Sequence, residues 1–191
     1  MRKGNKKMFV INELSFQDIE AYDVFNYNNT HSYEEDENYN YNCMAYAFGA
    51  FEWLSLIDMD YDSPEAIIEE LNLSLNNTML YNEIEDALNN YDFNNHFLRK
   101  VMVKRMLNAF PDLRIVSSFE ELKEDEYGIS FATGYDDFHF LKYDNGKFSH
   151  KQGTLPIKNI KNEEEGFHPR YNSKIIRFAM KKKPIKFIET F

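Results

Sequence analysis

The run from Phe138 to Lys151, Phe-His-Phe-Leu-Lys-Tyr-Asp-Asn-Gly-Lys-Phe-Ser-His-Lys, constrains the fold more than any other part of the chain. Its two alternating stretches are joined by Asn145-Gly146. That pair accepts the left-handed conformations of a two-residue hairpin turn at little cost. A two-residue turn fixes the register: Asp144 opposes Lys147, Tyr143 opposes Phe148, and Leu141 opposes His150. Successive side chains in a strand point to opposite faces, so His139, Leu141, Tyr143, Phe148 and His150 share one face. His139 and His150 then become diagonal neighbours, about 7–8 Å apart at Cα and within side-chain reach. One extra residue in the turn would send them to opposite faces. The competing reading is two unrelated histidines on an exposed hairpin.

Upstream of Pro111 the apolar residues recur with a period of about 3.6, and downstream with a period of about 2. Cys43 to Leu54 is an apolar stretch of good helix formers with Asn40 or Asn42 as N-cap, which predicts a centrally buried helix. Ser63-Pro64-Glu65 reads as a helix start, with Ile67, Ile68, Leu71 and Leu75 at helical spacing. Tyr81 to Tyr91 and Asn94 to Phe110 repeat the pattern. Strands are predicted at Leu113 to Ser117, Tyr127 to Phe131 and the two arms of the hairpin, with weaker candidates at Ile175 to Met180 and Ile185 to Ile188. The expectation is an α+β protein whose helical N-terminal two-thirds packs on a C-terminal antiparallel β-sheet. The stretch from Asn26 to Asn42, rich in Asn, Tyr and acidic residues, reads as a loop that orders on docking.

With 191 residues, 43% of them hydrophobic, the chain suits one domain with a full core. The longest apolar run, Met44 to Phe51, is far short of a membrane span, and Asn12, Glu13, Gln17 and Asp18 interrupt any signal-like segment after the basic start. A soluble, cytoplasmic protein with no membrane partner is expected. The net charge of -10 argues against a nucleic-acid partner, and the Lys181-Lys182-Lys183 run reads as solvated. The single cysteine excludes an internal disulfide and fits a reducing compartment. Abundant Asn, Tyr, Lys, Ile and Phe fit an AT-rich genome, as in a low-GC bacterium or its phage.

The residue with the most chemical potential is Cys43. At a helix start, free N–H groups and the helix dipole favour a thiolate, and the same N–H groups can hold an acyl oxyanion. Equally, a free cysteine is often only a small buried hydrophobe. The hairpin supplies a histidine pair in which one imidazole can orient the other, as a nucleophile–base pair needs. Tyr39 and Tyr41 are candidate hydroxyl donors to an oxyanion or packing aromatics, and Asn42 stands beside them as a further substrate-side candidate. A zinc site from Cys43, His139 and His150 would lack a fourth ligand at recognisable spacing. No metal or cofactor is expected. His96 reads as a helix residue that caps or packs, His168 as solvated, and His31 as an outside candidate for substrate contact. The basic pairs Arg99-Lys100 and Lys104-Arg105 read as a solvated helix face.

Asn42-Cys43-Met-Ala-Tyr-Ala, followed by the Phe138–Lys151 hairpin, resembles the NlpC/P60 branch of the papain-like cysteine peptidases. The two motifs are also similar to small bacterial proteins with an Asn-Cys-Tyr-Ala-Tyr-Ala motif and a Trp-Ser-His-Lys-Pro-Gly hairpin. The resemblance implies a papain-like domain over residues 1–191, with 63–110 as a helical insertion. It also implies Cys43 as nucleophile, His139 as general base and His150 as its orienting partner. The function expected is a cysteine hydrolase, of peptidase or amidase type, or an acyltransferase, acting on a peptide, amide or ester. The alternative is a catalytically inactive papain-like protein-binding module, such as a phage or mobile-element protein acting on a host factor.

Overall fold

The computed structural model describes residues 41–50, 53–58, 61–167 and 169–182, together with the backbone of Phe9 and Val10. Two short strands, β1 (Phe9–Val10) and β2 (Leu54–Ser55), pair in parallel. Between them in sequence lies α1 (Cys43–Phe48). Three further helices follow: α2 (Pro64–Glu70), α3 (Thr78–Asn89) and α4 (His96–Ala109). The rest of the described chain builds a six-stranded antiparallel sheet in the order β3-β8-β4-β5-β6-β7. Its strands are β3 (Arg114–Val116), β4 (Glu126–Thr133), β5 (Phe138–Asp144), β6 (Lys147–Lys151), β7 (Ile157–Ile160) and β8 (Ile176–Lys181). A last short helix, α5 (Glu163–Phe167), lies between β7 and β8 in sequence.

This architecture corrects the expected helical N-terminal two-thirds of a papain-like fold. Among the described residues the protein is mixed, with five short helices and a six-stranded sheet as its frame. The helices lie mostly ahead of the sheet in sequence, and the first two stop short of the apolar stretches that mark them. Gly49 takes the left-handed conformation (φ 72°), and its N–H turns back to the carbonyls of Ala45 and Tyr46. That closes α1 after six residues instead of carrying it to Leu54. Asn72 at φ 55° turns the chain just after α2, which leaves Leu75 exposed in a loop. The starts follow ordinary capping: Ser63 accepts from Ala66 N–H ahead of Pro64, and Asn77 from Leu80 N–H. The candidate strand at Ile185 to Ile188 lies outside the described residues.

The sheet is covered on both sides. One face carries Tyr127, Ile129, Phe131, Phe140, Phe178 and Met180, packed with α1 and the α2–α4 helices into the main core. The other carries Ala132 and Leu141 under Phe167, Tyr171 and Ile160. Two ionic clamps lock these layers. Arg105, almost fully buried in α4, donates to Asp62 and Glu70 and to the Leu56 carbonyl. Arg177 of β8 holds Glu163, which in turn accepts from Ser130 of β4. Among the described residues no helix is long and apolar enough to cross a membrane.

Candidate active site

The Asn145-Gly146 turn has φ values of 49° and 76°, the left-handed pair that a two-residue hairpin requires. The resulting register is Leu141↔His150, Tyr143↔Phe148 and Asp144↔Lys147. His139 and His150 therefore project from the same face, and His139 Nε2 lies 2.9 Å from His150 Nδ1. Both side chains are buried. The His139 ring also stacks on Tyr171, with centroids 5.0 Å apart and planes within 17°. Tyr171 in turn donates its hydroxyl to Asp137 Oδ2 at 2.8 Å.

Cys43 approaches from the other side. Asn42 caps α1: its Oδ1 accepts from Ala45 N–H at 3.1 Å, and its Nδ2 donates to the Leu54 carbonyl at 2.6 Å. Both ends of that amide are thereby committed to holding the helix start. The pairing of β5 with β6 runs only from Leu141 to Asp144, so the β5 edge near Phe138 to Phe140 is free to meet the sulfur. Cys43 Sγ makes a weak S–H···O contact with the Phe138 carbonyl across 3.9 Å, and the Phe140 N–H also favours its thiolate. The sulfur thus sits beside the backbone on either side of His139. The imidazole itself leaves the strand towards Tyr171 and α5. The hydrogen bond of the thiol goes to Phe138, and that of the imidazole goes to His150.

Burial sets the protonation of these groups. Desolvation, aided by the charge of Asp137, pushes the Cys43 thiol up to about 12. Desolvation, with the charges of His150 and Arg170, holds His139 down at about 3. His150 is also lowered, first by burial and then by Lys158. Burial thus favours the neutral thiol and the neutral imidazoles near pH 7. The six-residue helix behind Cys43 offers only a short dipole to oppose this.

The other sequence candidates disperse. Tyr41 is fully buried, with its ring under the Lys151 ammonium at 4.7 Å. Tyr39, His31 and His168 lie outside the described residues. His96, at the start of α4, is exposed, with Nδ1 3.8 Å from a Glu83 oxygen and its ring against Phe97. Of the two basic pairs, Arg105 is not a solvated face residue but the buried clamp described above. Among the described residues, no three His, Cys, Asp or Glu side chains converge to hold a metal ion.

Three residues beside the thiol and the histidine pair escape a reading of the sequence. Asp137 immediately precedes the hairpin, and its adjacency to His139 was the available signal. Lys151 was findable from strand alternation, which puts it on the opposite face from His150, towards α1. Tyr171 comes from a distant loop and carries no local signal. The chain matches no family model, no curated protein and no solved structure.

Proposed function

We propose that this chain is a cysteine hydrolase or acyltransferase in which Cys43 attacks an amide, isopeptide or ester carbonyl. The observation that carries the reading is the position of the sulfur, on the β5 edge at the Phe138 carbonyl, next to a histidine already bonded to a second histidine. In the proposed step the S–H bond breaks, its proton passes to His139, and sulfur bonds the carbonyl carbon. For His139 to take that proton at Nδ1, its Nε2–H donates to His150 Nδ1 across 2.9 Å, which fixes the tautomer. The substrate C–N or C–O bond then breaks as His139 returns the proton to the leaving amine or alcohol, and water or an amine afterwards takes the acyl group from sulfur and restores the thiol. The order of helix cysteine, strand histidine and next-strand histidine, which resembles that of the NlpC/P60 peptidases, supports the same reading. Reaction requires Sγ to leave the Phe138 carbonyl and the imidazole to turn from Tyr171, since the resting thiol and imidazole are hydrogen-bonded elsewhere.

One observation favours a second reading, a catalytically inactive protein-binding module. Burial holds both the thiol and His139 neutral, the opposite of a preformed ion pair. Treatment of the native protein with a peptidyl acyloxymethyl ketone, followed by intact mass and peptide mapping, separates the two. The enzyme reading expects an adduct on Cys43 that His139→Ala abolishes while the circular dichroism spectrum is kept. An unmodified wild-type Cys43, with iodoacetamide reacting only above about pH 8.5 as an ordinary thiol does, decides for the binding module.

A further inference from the structure

The groups that face Cys43 fall on two sides of its sulfur. On one side stand Asp137 and Tyr171, joined by the 2.8 Å hydrogen bond, with His139, His150 and Arg170 behind them. Asp137 opposes ionisation of the thiol. On the other side, towards α1, stands Lys151. In β6 the alternation that turns His150 to the α5 side turns Ser149 and Lys151 to the α1 side. Ser149 Oγ lies 2.7 Å from the Tyr46 hydroxyl, which pins β6 to α1. Lys151 has no solvent-exposed surface, its Nζ donates to the Gly153 carbonyl at 2.5 Å, and the ammonium lies 4.7 Å above the ring of Tyr41. Tyr41 is only two residues ahead of Cys43. Thiolate and ammonium attract one another here: Lys151 favours ionised Cys43, and Cys43 favours charged Lys151.

Burying an ammonium is costly, and a site that needed only bulk would be served by Met or Leu. Once His139 takes the proton, its imidazolium lies on the Asp137 and Arg170 side of the sulfur, and Asp137 opposes the thiolate from that same side. We propose that the Lys151 ammonium is the second counter-charge of the Cys43 thiolate, a positioning residue on the α1 side of the sulfur. This inference rests on Cys43 being the nucleophile of the reading above. In the step, the S–H electron pair stays on sulfur, the proton goes to the His139 imidazole, and Lys151 keeps its three protons. Burial brings Lys151 down to about 8, so its charge is largely present at pH 7 and fades in mildly alkaline solution unless the thiolate holds it.

The test is the rate of Cys43 alkylation by iodoacetamide, read by intact mass from about pH 6 to about pH 10, in wild type, Lys151→Arg and Lys151→Met. Arginine keeps the charge, and its profile is expected to follow wild type. Methionine removes the charge, and alkylation near neutral pH is expected to slow by about tenfold. A folded Lys151→Met whose profile overlies that of wild type overturns the inference. Should Lys151→Met not fold, Lys151→Gln serves instead, with the same slowing of alkylation expected and a rate equal to that of wild type overturning the inference. Absence of the acyloxymethyl ketone adduct in wild type overturns the nucleophile reading and this inference together. An adduct in wild type with an unchanged Lys151→Met profile overturns this inference alone.

Discussion

His139 shows how one buried side chain can set the response of the protein to acid. An unfolded histidine takes up its proton near pH 6.5, whereas the folded His139 is held at about 3 by burial and by the charges of His150 and Arg170. Between those values the unfolded chain binds more protons than the folded one, so stability falls as pH drops below about 6.5. His150 shifts in the same direction and adds to the effect. Comparing about pH 6.5 with pH 5 avoids most of the carboxylate titration. Over that interval the His139 proton alone is expected to remove about 1.4 kcal/mol per pH unit at the steep part of the curve. His139→Phe keeps a ring against Tyr171 but cannot take up a proton. Urea midpoints measured across that interval should therefore show a shallower pH slope in the variant. An unchanged slope would mean that His139 titrates normally in the folded protein.

At the scale of elements, the hairpin was readable because its turn is local chemistry. Asn145 at φ 49° occupies a conformation that costs a residue with an ordinary Cβ about 1–2 kcal/mol. Asn145→Ala is thus expected to lower stability by about 1 kcal/mol, and Asn145→Gly to leave it nearly unchanged, in urea titrations at fixed pH. Equal loss in both variants would show that the Asn side chain, and not its backbone conformation, matters at this position. The same local logic made Ser63 and Pro64 legible as a helix start. It was insufficient at Gly49, where glycine inside an apolar, helix-favouring stretch could be tolerated or could stop the helix. Here the left-handed Gly49 makes the stop, and Ala50 N–H closes onto the Ala45 carbonyl. β7 was missed because Ile157-Lys-Asn-Ile160 is a short, half-polar edge strand with little alternation to detect. The site divides in the same way. The histidine pair follows from the turn, whereas Lys151 and Tyr171 depend on what covers each face of the sheet. A lysine read from sequence is solvated by default.

For the molecule as a whole, the decisive feature is non-local: β8, the last described strand, lies between β3 and β4. Its partners are fixed by pairs such as Gly128↔Ala179 and Ile129↔Phe178 on one side and Ile115↔Phe178 on the other. No local signal could reveal that insertion, because it is decided by which apolar faces remain open once the hairpin and β4 have paired. Phe178 is fully buried in the main core with Ile129 and Phe131, and Arg177 fastens the opposite face through Glu163. The order of strand pairing makes β8, β4, β5 and β6 the interior of the sheet and leaves β3 and β7 at its edges. Contacts of long sequence separation form late and are lost cooperatively, so β8 should open only with the whole fold. Phe178→Ala is expected to cost about 3–5 kcal/mol through the cavity that it leaves. In native-state hydrogen exchange, the paired amides of β8 should exchange as slowly as those of β4 and β5, and much more slowly than those of β7. If β8 amides instead exchange at the rate of the β7 edge, the strand is a loosely held latch, and the α5 side of the histidine pair opens without global unfolding.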